Sequence, residues 1–487
     1  MSLKTMVLMI SAASLCACTL GPDFKRPAPT SEVQWLPVEG PLAPSQAVTA
    51  SLGERWWDSF NDPQLSALIQ QAVEQNLDLK VAATRLLQSR ATLQVVNGDR
   101  YPSVDASGEY SRARNSAVGL NDPSFKDGHS AFNLWQTDLQ TSWEPDFWGG
   151  IRREVEAANA SVQVSENARR GVLLSVLSET AADYIRLRAT QATLAVIRDN
   201  LGVSQHSLKL SQMRFDDGVA THLDIAQASA QVASIEARLP TLEEQQARLI
   251  NALSLLLGQA PRALQAQLEK AAPVPVSTER LGMGLPSELA QRRPDILQAE
   301  SALHQATAMI GVAKADFYPR ISLSGSVGFQ ALQLSNLGSW SSHAFAFGPQ
   351  FTLPIFEGGR LRGLLKLREA QQQQAAIEYQ QTVLKAWHDI DDVMVAYNAE
   401  QLRRDRLAEA VSQSQVALDT VQHQYVSGAV DFLNVLTVQA TLLSNQEQLV
   451  DSSASVSLAR VNLYKALGGG WQSMLPVATN GQAPHPL

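Results

Sequence analysis

Two passages of this chain occur twice. FWGGIRREVEAANA, from Phe147, returns as FEGGRLRGLLKLREA from Phe356, and RFDDGVATHLDIAQA, from Arg214, returns as QYVSGAVDFLNVLTV from Gln424. The offset holds along the chain: Gly149 to Gly358 is 209 residues, Gly218 to Gly428 is 210, and Gly258 to Gly468 is 210. Three landmarks at one spacing make the chain a tandem duplication, so whatever one half folds into, the other must approximate.

Each half reads helix, strand, loop, strand, very long helix, turn, long helix. No proline occurs from Gly150 to Asp216 or from Gly359 to Ser427. An unbroken helix of that size is roughly 100 Å long. Such rods need a partner along their whole length. Each stops at a glycine and returns, over Thr221 to Leu257 with a break at Pro240, and over Asp431 to Leu467 with no Gly or Pro. The two hairpins are expected to pack as antiparallel coiled coils. Ahead of the first strand, Leu65, Leu68, Ile69, Ala72 and Val73 predict one helix from Gln64 to Asn97.

The strands alternate with period two. Val104, Ala106, Gly108 and Tyr110 oppose Asp105, Ser107, Glu109 and Ser111, and Ile321, Leu323, Gly325, Val327 and Phe329 oppose Ser322, Ser324, Ser326 and Gly328. The return strands set Trp135, Thr137, Leu139, Thr141 and Trp143 on one face, and Phe345, Phe347, Phe351, Leu353 and Ile355 on another, with Pro349 and Pro354 weakening the last. One apolar and one polar face is the pattern of a lipid-facing, water-lined barrel, with Trp135, Trp143, Phe345 and Phe347 near strand ends as its aromatic belt. Four strands cannot close a channel, and an open edge in lipid is costly. Chains must therefore share the barrel, three of them giving about twelve strands.

The N-terminus carries Lys4, an apolar run from Met6 to Ile10, and LCAC at residues 15–18. The run is too short to span a bilayer and suits a secretory signal. LCAC resembles a bacterial lipobox, which makes Cys18 the acylated first residue of the mature protein. Cys16 and Cys18 are the two cysteines of the chain, leaving no disulfide framework. With 487 residues, 45% of them apolar and 18% charged, the chain has material for large cores. A net charge of -8 argues against a nucleic-acid binder.

LPSELAQRRPDILQAESALHQATAMIGVAKADFYPRISLSGS, from Leu285, resembles the core signature of the NodT-type, TolC-like outer-membrane factors. CTLGPDFKRP from Cys18 and LYKALGGGW from Leu463 resemble the lipidated start and C-terminal landmark of their OprM-like branch. The resemblance implies an α+β membrane protein: a homotrimer whose shared β-barrel continues into a periplasmic α-helical barrel, with a mixed equatorial belt. It implies an outer-membrane efflux duct for drugs or other toxic small molecules, served by an inner-membrane pump and a periplasmic adaptor (membrane fusion protein). Thr19 after the cysteine looks like sorting to the outer membrane. Metal-ion efflux and type I protein secretion share this architecture, and a structural coiled-coil lipoprotein is the plainer alternative.

On this reading residues 1–17 are the signal peptide and 18–63 the acylated segment and belt. Residues 64–258 and 285–468 are the repeats, 259–284 the connector and 469–487 the tail. The hairpin tips, at Gly218, Val219, Gly428 and Ala429, are expected to meet the adaptor. By resemblance Asp224 matches an acidic gate residue and Leu433 the apolar constriction of a periplasmic aperture. Thr437 stands where an aspartate is expected, and Asp431 is a potential substitute. Asp224 and Asp431 also sit where residues cap helices. No enzyme is expected, and no cofactor: the eight histidines form no His-Glu-x-x-His helix, and HDIDD from His388 lies in a predicted helix without the glycine of a calcium loop.

Overall fold

The computed structural model describes residues 19–27, 55–116, 130–277 and 292–474. Cys18 and residues 1–17 lie outside them. Contact clustering divides the chain into two compact units, and each takes residues from both repeats.

Unit 1, comprising Met1–Pro27, Leu86–Ser165 and Ala299–Tyr379, contains one antiparallel sheet. Its strands are β1 (Ser103–Ala113), β2 (Phe132–Trp143), β3 (Arg320–Ala331) and β4 (His343–Thr352), in spatial order β1-β2-β3-β4. The register aligns the alternation across all four. Ala106, Leu139, Val327 and Phe345 form one row, and Val104, Thr141, Gly325 and Phe347 the next of the same face. The rows between belong to the other face: Asp105, Gln140, Ser326 and Ala346, then Ser107, Asp138, Gly328 and Ala344. A one-residue slip at any pair would mix the faces. The apolar face is uncovered, with Leu139 52%, Val327 57%, Phe345 66% and Phe347 82% exposed.

Two strand expectations need correction. Phe347 lies in the middle of β4, opposite Gly325, and so is no belt residue. Leu353 and Ile355 fall beyond β4, because β3 begins at Arg320, the partner of Thr352, and leaves no residue for them to pair with. Pro349 is kept inside β4, opposite Leu323, which an edge strand tolerates.

The helices are α1 (Pro63–Gln75), α2 (Leu77–Gly98), α3 (Gly150–Asp216), α4 (His222–Glu236), α5 (Leu239–Leu256), α6 (Gln265–Leu268), α7 (Pro294–Ala315), α8 (Arg360–Val426) and α9 (Phe432–Ala466). Both rods, α3 and α8, have 67 residues. The expected single helix from Gln64 to Asn97 is two. Asn76 separates them: its side chain caps α2 by accepting from the Leu79 N–H (2.9 Å) and donates to the Leu256 carbonyl (2.9 Å). None of the described helices is long and apolar enough to cross a membrane.

Unit 2 comprises Ala28–Arg85, Glu166–Gln298 and Gln380–Leu487. Its largest core gathers Trp56, Trp57 and Phe60 against Leu173, Leu177, Tyr184 and Tyr464, with Trp56 stacked on Tyr464 at 5.3 Å. Asp62 caps α1 through the Gln64 and Leu65 N–H groups and also accepts from the Tyr184 hydroxyl (2.8 Å). Burial foremost pushes the Tyr184 phenol up to about 12, so it remains a donor.

The helical pairs in unit 2 run antiparallel. Along α8 and α9, Ser452 donates to Glu400 (2.9 Å) and Asn445 to Ser414 (2.9 Å). Along α3 and α9, Asn200 donates to Gln446 (2.7 Å) and Gln439 to Ser207 (2.8 Å). Asn200 and Ser207 are one heptad apart, as are Gln446 and Gln439, which is the spacing of a coiled-coil seam.

Candidate functional site: the hairpin tips and the anchor segment

Both rods end in the same turn. At the first tip Val219 N–H donates to the Arg214 carbonyl (2.8 Å) and Gly218 N–H to that of Phe215 (2.9 Å). At the second, Ala429 N–H donates to Gln424 (2.8 Å) and Gly428 N–H to Tyr425 (3.0 Å). Gly218 and Gly428 have φ of +77° and +76°, which glycine adopts at least cost. Val219 and Ala429 lie exposed at these turns.

Asp224 is the third residue of α4 and closes a capping box. Its carboxylate accepts from the Thr221 N–H (2.7 Å) and hydroxyl (2.9 Å), while its own N–H donates to Thr221 Oγ1 (3.3 Å). Asp431 occupies the capping position of α9, yet its side chain makes no capping bond and is exposed. Leu433 is 59% exposed. Thr437, one turn on, is exposed and donates to the Leu433 carbonyl (2.9 Å). Thr441, Ser444 and Gln448 continue this open stripe, whereas Phe432, Val435, Gln439 and Leu442 form the buried side of α9.

The two tips are tied together by a residue the sequence did not single out. The Arg214 guanidinium donates to the Tyr425 (2.8 Å) and Val426 (3.0 Å) carbonyls and lies 4.6 Å over the Tyr425 ring. Tyr425 is buried against Phe432, ring centroids 5.3 Å apart. These carbonyls lie in the last turn of α8, where a cation is favoured.

In unit 1 the segment after Cys18 is held by specific contacts. Leu20 N–H donates to the Trp148 carbonyl (3.2 Å), and the buried Arg153 donates to the Leu20 carbonyl (3.1 Å) and to Asp23 (2.6 Å). Arg26 grips Glu300 with two nitrogens at 2.8 and 2.9 Å. Phe24 stacks on His304 at 4.4 Å, and His304 meets Glu156 at 2.8 Å. A Cβ on Gly149 would stand 2.9 Å from the Thr19 Cα, so glycine is required there. Thr19 thus rests against Gly149, six residues past the end of β2.

In unit 2, Arg292 to Asp295 of the first quoted motif meet Ala466 to Trp471 of the second. Trp471 Nε1 donates to the Arg292 carbonyl (3.0 Å), while Arg293 donates to the Ala466 carbonyl (3.0 Å), Asp295 (2.7 Å) and Asp389 (3.1 Å). Asp389 of HDIDD is therefore an ion-pair partner. Among the described residues no three His, Cys, Asp or Glu side chains are grouped to hold a metal ion.

A sheet apolar on one face and polar on the other, joined in sequence to long hairpins with tied tips, is the construction of an outer-membrane channel subunit. Relatives and solved structures agree. The chain belongs to the outer membrane efflux protein family, whose sequence model matches residues 68–259 and 285–469. It is 32% identical to the probable efflux pump outer membrane protein TtgC of Pseudomonas putida over 478 residues, covering 97% of this chain and 96% of that one. It is 30% identical to the cation efflux system protein CusC of Escherichia coli over 466 residues, 95% and 97% of the two chains. The solved outer-membrane channel OprN superposes with a TM-score of 0.86 at 31% identity, over 93% of this chain and 100% of that one.

Proposed function

We propose that the chain is the outer-membrane duct of a tripartite efflux system, passing drugs or other toxic small molecules from an inner-membrane pump and periplasmic adaptor to the exterior. One observation carries this: the register gathers the large apolar residues at the centre of the sheet, Leu139, Val327, Phe345 and Phe347, on one uncovered face, while β1 and β4 each keep an outer edge unpaired within the chain. Such edges are satisfied in lipid by neighbouring copies, three chains giving about twelve strands. The exposed apolar stripe of α8, with Ile377, Leu384, Val395 and Leu402, supports lateral packing between copies. The protein acts as a passive conduit without catalysis. Cross-linking in mild detergent is expected to give a ladder ending at three chains. A monomer that still conducts in planar bilayers overturns the shared barrel.

The hairpin tips form the periplasmic aperture in this reading. Leu433 narrows it, Asp224 holds the turn of α4, and Gly218, Val219, Gly428 and Ala429 present the surface to the adaptor. Asp431, with no capping bond, is free to supply the negative charge that Thr437 lacks. Metal-ion efflux is the second reading, supported by the likeness to CusC. Deleting the gene and measuring growth inhibition by a panel of antibiotics and by a panel of metal salts separates the two.

Cys18 is the lipid anchor, and the Arg153 and Arg26 contacts fix the residues that follow it. Mass spectrometry of the mature N-terminus is expected to find acyl chains on Cys18 and none on a Cys18→Ala variant. An unacylated wild-type N-terminus removes the lipobox reading.

A further inference from the structure

We propose that the loop joining β3 to β4, residues 332–342, is a lipid-docking surface that lies at headgroup level in the outer leaflet of the outer membrane. The proposal rests on the lipid-facing assignment of the sheet. From Ile321 to Phe356 the chain has no Asp, Glu, Lys or Arg, while Arg320 and Glu357 stand immediately outside. The connection from β1 to β2 carries Arg114, Asp122, Lys126 and Asp127 in its sequence, so the uncharged loop is particular to the second hairpin.

The loop bonds the Ser339 and Ser342 hydroxyls to its own backbone and leaves Leu332, Leu334 and Trp340 exposed, beside the exposed but uncharged Gln333, Ser335, Asn336 and Ser341. The Ser339 hydroxyl donates to the Asn336 carbonyl (2.8 Å) and the Ser342 hydroxyl to the Ser339 carbonyl (2.8 Å). The backbone closes on itself as well: the N–H groups of Asn336, Leu337, Ser339 and Ser342 all donate to carbonyls three residues or fewer behind. Meanwhile Leu334 is 57% and Trp340 81% exposed. A loop lying against lipid has to satisfy its backbone groups itself, and this one does so at four N–H groups.

Its position agrees. His343 opposes Phe329, and so stands on the same face as Val327, Phe345 and Phe347. The Trp340 ring stacks on His343 at 4.6 Å and 20°, which puts the indole on that apolar face at the end of the sheet away from the helices. A Trp there continues the lipid-facing surface to its interface, where amphipathic rings concentrate.

The test attaches a bimane fluorophore to Trp340→Cys, Leu334→Cys, Ala344→Cys and Phe345→Cys variants of the full-length protein. Each is reconstituted in phosphatidylethanolamine and phosphatidylglycerol vesicles, with labelled wild type as background. Ala344 lies on the polar face and Phe345 on the apolar one. Labels at 340 and 334 are expected to be quenched about threefold more by headgroup nitroxide lipid than the label at 344, and about threefold less by iodide. If 345 senses lipid while 340 and 334 respond to iodide like 344, the loop projects into water and the proposal falls alone. Protection of 340 and 334 from both quenchers means a protein cover and also overturns it. If 345 fails to sense lipid, the lipid-facing sheet itself falls, and the loop proposal with it.

Discussion

Arginine in place of Leu139 is expected to abolish stable membrane-inserted trimers, while arginine in place of Gln140, one residue further on, is tolerated. Leu139 occupies the middle of β2, in a row with Ala106, Val327 and Phe345, and its side chain is half exposed on the apolar face. A cation at mid-depth on the lipid face of a barrel costs about 2–4 kcal/mol. In the proposed trimer three copies incur it together, a large share of the roughly 5–15 kcal/mol by which folded domains exceed their unfolded state. Gln140 belongs to the row of Asp105, Ser326 and Ala346, where an arginine meets water and acidic neighbours. The measurement is the heat-resistant oligomer band in extracted membranes, with bilayer conductance of purified protein. Equal tolerance of the two substitutions would mean that the sheet does not face lipid.

The second large effect is expected at Arg214. Its guanidinium makes two charge-assisted bonds to the end of α8 and covers the Tyr425 ring, so Arg214→Ala removes this polar tie between the tips. Each bond in this half-exposed setting contributes roughly 1 kcal/mol. If the tips form the aperture of the proposed trimer, three copies loosening together are expected to raise single-channel conductance severalfold. Leu433→Ala is expected to raise it by widening the bore directly, without changing tip stability. Asp224→Ala removes the capping box, at about 1 kcal/mol, and is expected to be the weakest of the three. Arg214→Lys keeps the charge but not the fork and is expected to fall between wild type and alanine. Unchanged conductance in Arg214→Ala and Leu433→Ala moves the constriction away from the tips.

The reach of the sequence is visible in these residues. The four strands and their faces were legible because period-two alternation is local, and the pairing then brought four independent patterns into common rows. The rods were legible to within a residue, since a proline-free run bounded by glycine leaves helix little competition. The break at Asn76 was hidden because its cause is tertiary: the side chain spans from the start of α2 to a carbonyl 180 residues away. Arg214 was hidden for a related reason. Its acceptors are backbone carbonyls, which leave no mark in the residue types that carry them, and an arginine beside a turn reads as an ordinary helix end. Asp224 carried two readings in the sequence, a gate residue by resemblance and a helix cap by position, and the capping box of α4 is the second of these.

The equal lengths of α3 and α8 act as a ruler. Each rod is 67 residues and ends in the same glycine turn, and Arg214 of one tip reaches the last carbonyls of the other. Inserting one heptad into α3 alone would shift its tip along the helix axis by roughly 10 Å, far beyond the reach of a guanidinium. A matched insertion in α8, with compensating residues in α4–α5 and α9, would restore the meeting. The duplication therefore constrains its own divergence: the two halves are free to drift in side chains, as Glu156 and Leu365 have, but not independently in length.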